Sequence, residues 1–340
     1  MPSSTSSFEQ QLHDRKTHRN IWAIVIGLVL IGLASEIATV FGINHVSKIM
    51  RRTAREYHDS EKLQGFSTFG KPTMLLFGNS LLLEGVDYAE LRSALSDEYD
   101  VHRLIFEQTE YLDQYYVLRR LFRHGARPHD IVLCISADHF IADSSRGDFM
   151  SRYMDAIDIA SLGRRRHLDA TTLSSLMFAH WSAWLAYRTE TRKAVLGLVM
   201  PDMRDLATIL GWGPSPRVSA EEVRLKAEPR LREMKQLCDR YGSRLTIVVP
   251  PARRQNNDSV LAALGNDAGI RTLIPEQPGA MDSSFFRDGF HLNPAGAAIS
   301  VGNADTLKRR RRSRHPQFRN RLIAPWMSTT SPFDLSNEIG

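Results

Sequence analysis

From Ile21 to Ser35 the chain carries no charged side chain, and after Glu36 an apolar stretch resumes as far as Ile43. Taken as one helix, Ile21–Gly42 is 22 residues, roughly 33 Å at 1.5 Å per residue, which is enough to cross a hydrocarbon core of about 30 Å. Such a lack of polar positions at helical spacing suits lipid better than a core helix, which needs only one apolar side. A cleaved signal peptide is the rival reading, but no clear A-x-A site follows the run. Glu36 falls near one end of the span, where a carboxylate can reach the headgroups; at the bilayer centre it would cost about 3 kcal/mol. Arg15, Lys16 and Arg19 precede the segment and favour a cytoplasmic N-terminus, whereas Lys48, Arg51, Arg52 and Arg55 follow it and weaken that inference. The expected layout is a cytoplasmic arm over 1–20, a transmembrane anchor over 21–42, a linker over 43–70 and a folded domain over 71–300 outside the cytoplasm, periplasmic or at the cell surface.

The rest of the chain alternates strand and helix patterns. Thr73–Phe77 is a short apolar run between Pro72 and Gly78, and it reads as a buried strand. Further strands are expected at Val101–Phe106, Ile131–Ser136, Arg244–Val249 and Ile270–Leu273. Helices are expected at Val86–Leu95, Tyr111–His124, Ala220–Tyr241 and Ser259–Ala268, the second ended by Gly125-Ala-Arg-Pro128. Residues 148–215 show no strand pattern and read as a helical insertion in which Trp181, Trp184 and Tyr187 supply packing bulk. This order implies an α/β domain, a parallel sheet covered on both faces, with ligand sites at the carboxyl ends of its strands.

Charge excludes one class of partner. Eight Lys and Arg lie between Lys308 and Arg321, with only Asp334 and Glu338 after them, so the net charge of +6 belongs to the tail. The balanced body lacks the basic footprint of a nucleic-acid binder. Residues 301–340 read as a basic, disordered tail whose last stretch, Leu322–Gly340, has no amphipathic period; a frameshifted or truncated ending is one account of it. Cys134 and Cys238 leave a single disulfide open, and the histidines, among them His102, His124, His129, His167 and His180, show no metal-ligand spacing. No metal and no organic cofactor is expected.

Two short blocks carry chemistry. Gly78-Asn79-Ser80 follows directly on the first strand and leads into a helix, so that the amide of Ser80 is free to face an anion. Gly78 is expected to let the backbone turn tightly there. The segment lacks the lysine of a P-loop. Far along the chain comes Asp288-Gly289-Phe290-His291-Leu292-Asn293-Pro294. Its three-residue spacing lets Asp288 orient the imidazole while His291 acts as a general base toward a serine. Each block alone is cheap, as a capped helix start and as a surface pair.

Together, strand–G-N-S–helix at the front and D-G-F-H-L-N near the end resemble the SGNH (GDSL-like) hydrolase superfamily over about residues 72–300. The resemblance is to bacterial forms tethered by one N-terminal span, some of which act on acyl groups of cell-surface polysaccharides. It implies a three-layer, flavodoxin-like parallel sheet and a catalytic triad of Ser80, His291 and Asp288. The activity it implies is ester hydrolysis or O-acyl transfer through an acyl-serine, on acetylated carbohydrate or another small ester. Family members draw oxyanion donors from a glycine after the second strand and an asparagine after the third, besides the serine amide. Here those places hold Glu107-Gln108-Thr109-Glu110 and Ser136-Ala137-Asp138-His139. Ser80 and Gln108 are the oxyanion candidates, and Asn79, Asp138 and His139 are candidates to line the pocket. Losing one such donor costs about 10²–10³ in rate. The departure therefore supports an alternative, a catalytically inactive glycan-binding or assembly protein.

Overall fold

A computed structural model describes residues 6–200, 218–252, 257–277, 279–287 and 291–298. The chain divides into two compact units, one of residues 52–146 with 210–340, the other of 1–51 with 147–209.

The first unit is built on five parallel strands, β1 (Thr73–Gly78), β2 (Asp100–Ile105), β3 (Asp130–Cys134), β4 (Arg244–Val248) and β5 (Arg271–Leu273). Their order across the sheet is β2-β1-β3-β4-β5. The chain thus steps outward from β1 to β2, then reverses across β1 to β3, and the crevice at such a reversal is where open α/β sheets place ligands. β1 and β3 are buried along their whole length, which is why both read as unbroken apolar runs rather than alternating ones. One face carries Met74, Leu76, Val101, Ile105, Val132, Cys134 and Val248, covered by Leu82 and Leu95. These two come from the helices after β1, α3 (Ser80–Gly85) and α4 (Tyr88–Leu95). The residues of opposite parity, Leu75, Phe77, Leu104, Ile131, Leu133 and Ile247, are equally buried, so both faces are covered.

The stretch 43–70 is not a plain linker. Lys48–Glu61 forms a helix, α2, whose later turns clasp the outer edge of β2. The Glu56 carboxylate accepts the Ile105 N–H at 3.0 Å and the Arg103 guanidinium at 2.6 Å, and the Thr53 hydroxyl donates to the Ile105 carbonyl. An uncovered edge strand would offer those backbone groups to another chain. Burial raises the pKa of Glu56, opposed by Arg103 and Arg52. Helix α5 (Tyr111–Arg123) buries a broad stripe that includes Tyr111, Tyr116 and Phe122. After β3 comes α6 (Ala137–Ile141).

The second unit holds the long helix α1 (Ser6–Val46). Its stretch Asn20–Ile43 is long and apolar enough to cross a membrane, and Ile43 at its end is the one buried residue in it. The helix continues without a break into the region expected to be a separate arm. The described part of the 148–215 segment carries five helices joined by short turns, α7 (Asp148–Ser151), α8 (Ala156–Arg165), α9 (Ala170–Trp181), α10 (Ala183–Ala186) and α11 (Arg188–Val199). Tyr187 does pack, its ring 5.9 Å from that of Phe149. Trp181 and Trp184 do not supply packing bulk, being 65% and 54% exposed.

Back in the sheet unit, α12 (Ala220–Arg240) buries Val223, Ala227, Leu231, Met234 and Cys238 at helical spacing, and α13 (Asp258–Asp267) precedes β5. Cys134 and Cys238 are separate buried thiols, which answers the disulfide question. Burial pushes both up to about 12. The expected tail, 301–340, lies outside the described residues.

Candidate active site

Gly78 ends β1 and pairs with Ile105 on one side and Cys134 on the other. A Cβ there would meet the Cys134 carbonyl oxygen at 2.8 Å. The glycine is therefore required for close approach of β1 and β3, not for the tight turn that the sequence suggested. The turn itself belongs to Asn79. Its side-chain oxygen accepts the Leu81 N–H at 3.0 Å and its amide donates to the Thr109 carbonyl at 3.0 Å. Both ends of a buried side chain are used in this way, so Asn79 is a strut rather than a pocket wall. Ser80 follows as the first residue of α3, half-buried, with its hydroxyl free to face the end of the sheet.

That hydroxyl stands 2.9 Å from Nε2 of His291, 211 positions away. The loop bearing the imidazole is closed on itself. Arg287 N–H donates to the His291 carbonyl at 2.9 Å, Phe286 and Leu292 form a bridge, and Asn293 N–H donates to the Phe285 carbonyl at 2.8 Å. Asn293 also accepts the Gly296 N–H at 2.9 Å, a cap at the start of the next helical turn. A side chain at Gly296 would strike the Phe285 carbonyl, 2.5 Å from an added Cβ. A second tie reaches the serine helix directly, because Arg287 pairs with Glu84 of α3 at 2.8 Å. Sequence reading missed this pair, although Arg287 adjoins the D-x-x-H block and Glu84 lies four residues after the serine. Asp288 lies outside the described residues.

The segment after β2, Glu107-Gln108-Thr109-Glu110, holds an unusual backbone. Gln108 adopts a left-handed backbone, φ 57°, a conformation glycine enters freely and other residues at a cost of about 1 kcal/mol or more. Its neighbours hold it in place. Phe106 N–H donates to the Gly78 carbonyl at 3.0 Å, the Thr109 hydroxyl to the Phe106 carbonyl at 2.6 Å, and the Arg146 guanidinium to the Glu107 carbonyl at 2.7 Å. Arg146 is in turn fixed by Asp113, whose carboxylate accepts its N–H at 3.0 Å and the Ser145 hydroxyl at 2.5 Å. Burial drives the Asp113 pKa up to about 6 against those hydrogen bonds.

After β3, Ser136 donates to Asp138 and lies 2.9 Å from Nδ1 of His139. Asp138 and His139 are half-exposed at the start of α6, whose first N–H, from Ala137, is bound by Asp258 at 2.8 Å. Since Gly78 and Cys134 are register partners, Ser80 and Ser136 each stand two residues past the ends of neighbouring strands. A cleft at the opposite end of the sheet is lined by Tyr99, Asp130, Arg244 and Arg271 among others, with no serine, cysteine or histidine among the described residues that line it. Among the described residues no three metal-ligating side chains cluster. No protein-family model matches the chain, and no curated protein does.

Proposed function

We propose that this chain is an SGNH-like serine acyl-transfer enzyme held at a membrane by α1. The carrying observation is the 2.9 Å approach of the Ser80 hydroxyl to Nε2 of His291, which gives a serine its general base. In the mechanism Ser80 Oγ attacks the carbonyl carbon of an ester while its proton passes to His291 Nε2. The resulting oxyanion is met by the Ser80 N–H and, after β2, by the Gln108 N–H, whose left-handed geometry supplies what a glycine supplies elsewhere. The tetrahedral intermediate collapses, the C–O bond to the alcohol breaks, and the alcohol leaves with the proton from His291. Water or a sugar hydroxyl then gives its proton to His291 and attacks the acyl carbon; the bond from that carbon to Ser80 Oγ breaks, and Oγ takes the proton back from His291, regenerating Ser80. Water makes the chain an esterase and a hydroxyl makes it an O-acyltransferase. Asp288, three residues before His291, is assigned the role of orienting the imidazole. With the N-terminus in the cytoplasm, the sheet unit lies outside it, so acylated surface carbohydrate is the assigned substrate class.

The test is hydrolysis of an activated aryl acetate by the full chain in detergent micelles. Turnover lost in Ser80→Ala and in His291→Ala is the expected result. No turnover by the correctly folded wild type with any acyl donor would overturn it. The second reading, a non-catalytic glycan-binding module, is favoured by one observation: where the family has a neutral asparagine this chain has Asp138, tied to Ser136. Saturable binding of acetylated polysaccharide without acyl release would establish that reading instead.

A further inference from the structure

The apolar surface of the α1 unit does not end with α1. From Ala170 to Tyr187 the chain has 18 residues without Asp, Glu, Lys or Arg, and within them Phe178, Trp181 and Trp184 are more than half exposed. These residues lie beside α1 because Glu36 binds them there. Its carboxylate accepts the Ala183 N–H at 2.7 Å, the Trp184 N–H at 3.4 Å and the Ser182 hydroxyl. The contact accounts for the lone acid of the apolar segment, whose charge is met by backbone and hydroxyl donors rather than left to lipid. It also sets a depth. Glu36 is seven residues before Ile43, the end of the apolar window, which is about 10 Å along the helix.

We infer that α9 and α10 form a second membrane contact, lying in the interfacial layer with Trp181 and Trp184 as its anchors. Three observations favour lipid as the occupant over a protein partner. The patch is continuous with the exposed apolar surface of α1, its tryptophans fall within about 10 Å of the end of the span, where indole rings are enriched, and around the uncharged stretch, flanked by Asp169 and Arg188 with Glu190 beyond, the exposed Arg164, Arg165, Arg188 and Arg192 outnumber the acids, a balance suited to anionic headgroups. The inference rests on the proposal that α1 spans the bilayer.

Both are tested in vesicles of phosphatidylethanolamine and phosphatidylglycerol carrying brominated acyl chains, which quench nearby tryptophan. Two variants of the full chain are compared, each shown by circular dichroism to keep its helix content. One retains Trp181 and Trp184 and the other retains Trp22, every other tryptophan being replaced by phenylalanine. The expected result for the first is quenching of about twofold when the bromines sit near the ester end of the chain, falling off toward the methyl end. Quenching of Trp22 without quenching of the Trp181–Trp184 variant would overturn the inference, leave the anchor intact and point to a protein partner for the patch. Quenching of neither would overturn both readings, and strongest quenching by methyl-end bromines would replace interfacial seating with deep insertion.

Discussion

The turns that leave β1 and β3 each carry a serine two positions past the end of the strand and differ in where that serine finds an imidazole. After β3, Ser136, Asp138 and His139 satisfy one another within four positions, and Ser136 is 5% exposed. After β1, Ser80 remains half-exposed and finds its imidazole 211 positions away. A serine whose partners are local and buried forms a helix-start network, whereas Ser80 meets an imidazole brought from the far end of the sheet unit, the arrangement on which the proposed nucleophile rests. Residue type alone does not separate the two; the source of the base does.

The sharpest way to break this contrast is to remove each hydroxyl in turn. Ser80→Ala is expected to lower kcat/KM by about 10⁴-fold or more, while Ser136→Ala lowers it by less than about tenfold, a cost of local packing. Equal losses would make the β3 cluster part of the chemistry. Next in size is the Gln108 backbone. Gln108→Pro removes the N–H and forbids positive φ, with an expected loss of about 10²–10³ in kcat. Gln108→Gly keeps both features and is expected to retain activity within a few-fold, with stability up by about 1 kcal/mol. Similar losses in both variants would take the Gln108 amide out of the oxyanion site.

The support beneath Gln108 has a pH signature. A buried carboxyl raised from 3.8 to about 6 favours the folded state when protonated. Its stabilising contribution is therefore complete below about pH 4 and is lost as pH rises through about 6. Between about pH 4 and about pH 8 the wild type is expected to lose about 3 kcal/mol relative to Asp113→Asn, followed by urea denaturation at each pH. Parallel profiles would contradict the burial argument. The smallest effect concerns the tie between the serine helix and the His291 loop. Arg287→Ala and Glu84→Ala are each expected to cost less than about 1 kcal/mol of stability, since the pair is partly exposed, and to lower kcat a few-fold. A double variant no worse than either single one would show that the two act through each other.

Much of this was legible in the sequence where the determinants are local. The apolar runs of β1 and β3 announce strands buried on both faces, and the G-N-S block and the histidine of the later block name the two side chains that meet at 2.9 Å, while Asp288 lies outside the described residues. What could not be read depends on distant partners. The amphipathic helix α2 hides in a stretch with helix-like charges because its purpose, covering Ile105 at the edge of β2, exists only once the sheet is ordered. Gly78 looks like a turn glycine until the Cys134 carbonyl lies against it. The left-handed backbone of Gln108 has no signal at its own position, since two of the bonds that hold its loop come from distant segments, from Asn79 and from Arg146. Trp181 and Trp184 read as bulk for packing because nothing nearby in sequence reveals Glu36 as their neighbour.

The most direct measurement of the central claim is mass-spectrometric location of the adduct formed when the full chain, in detergent, meets an alkyl fluorophosphonate. One phosphonylated residue, Ser80, with labelling slowed at least about a hundredfold in His291→Ala, is the result the account predicts. An adduct on Ser136, or unlabelled Ser80 in a folded chain that still turns over ester, would contradict it.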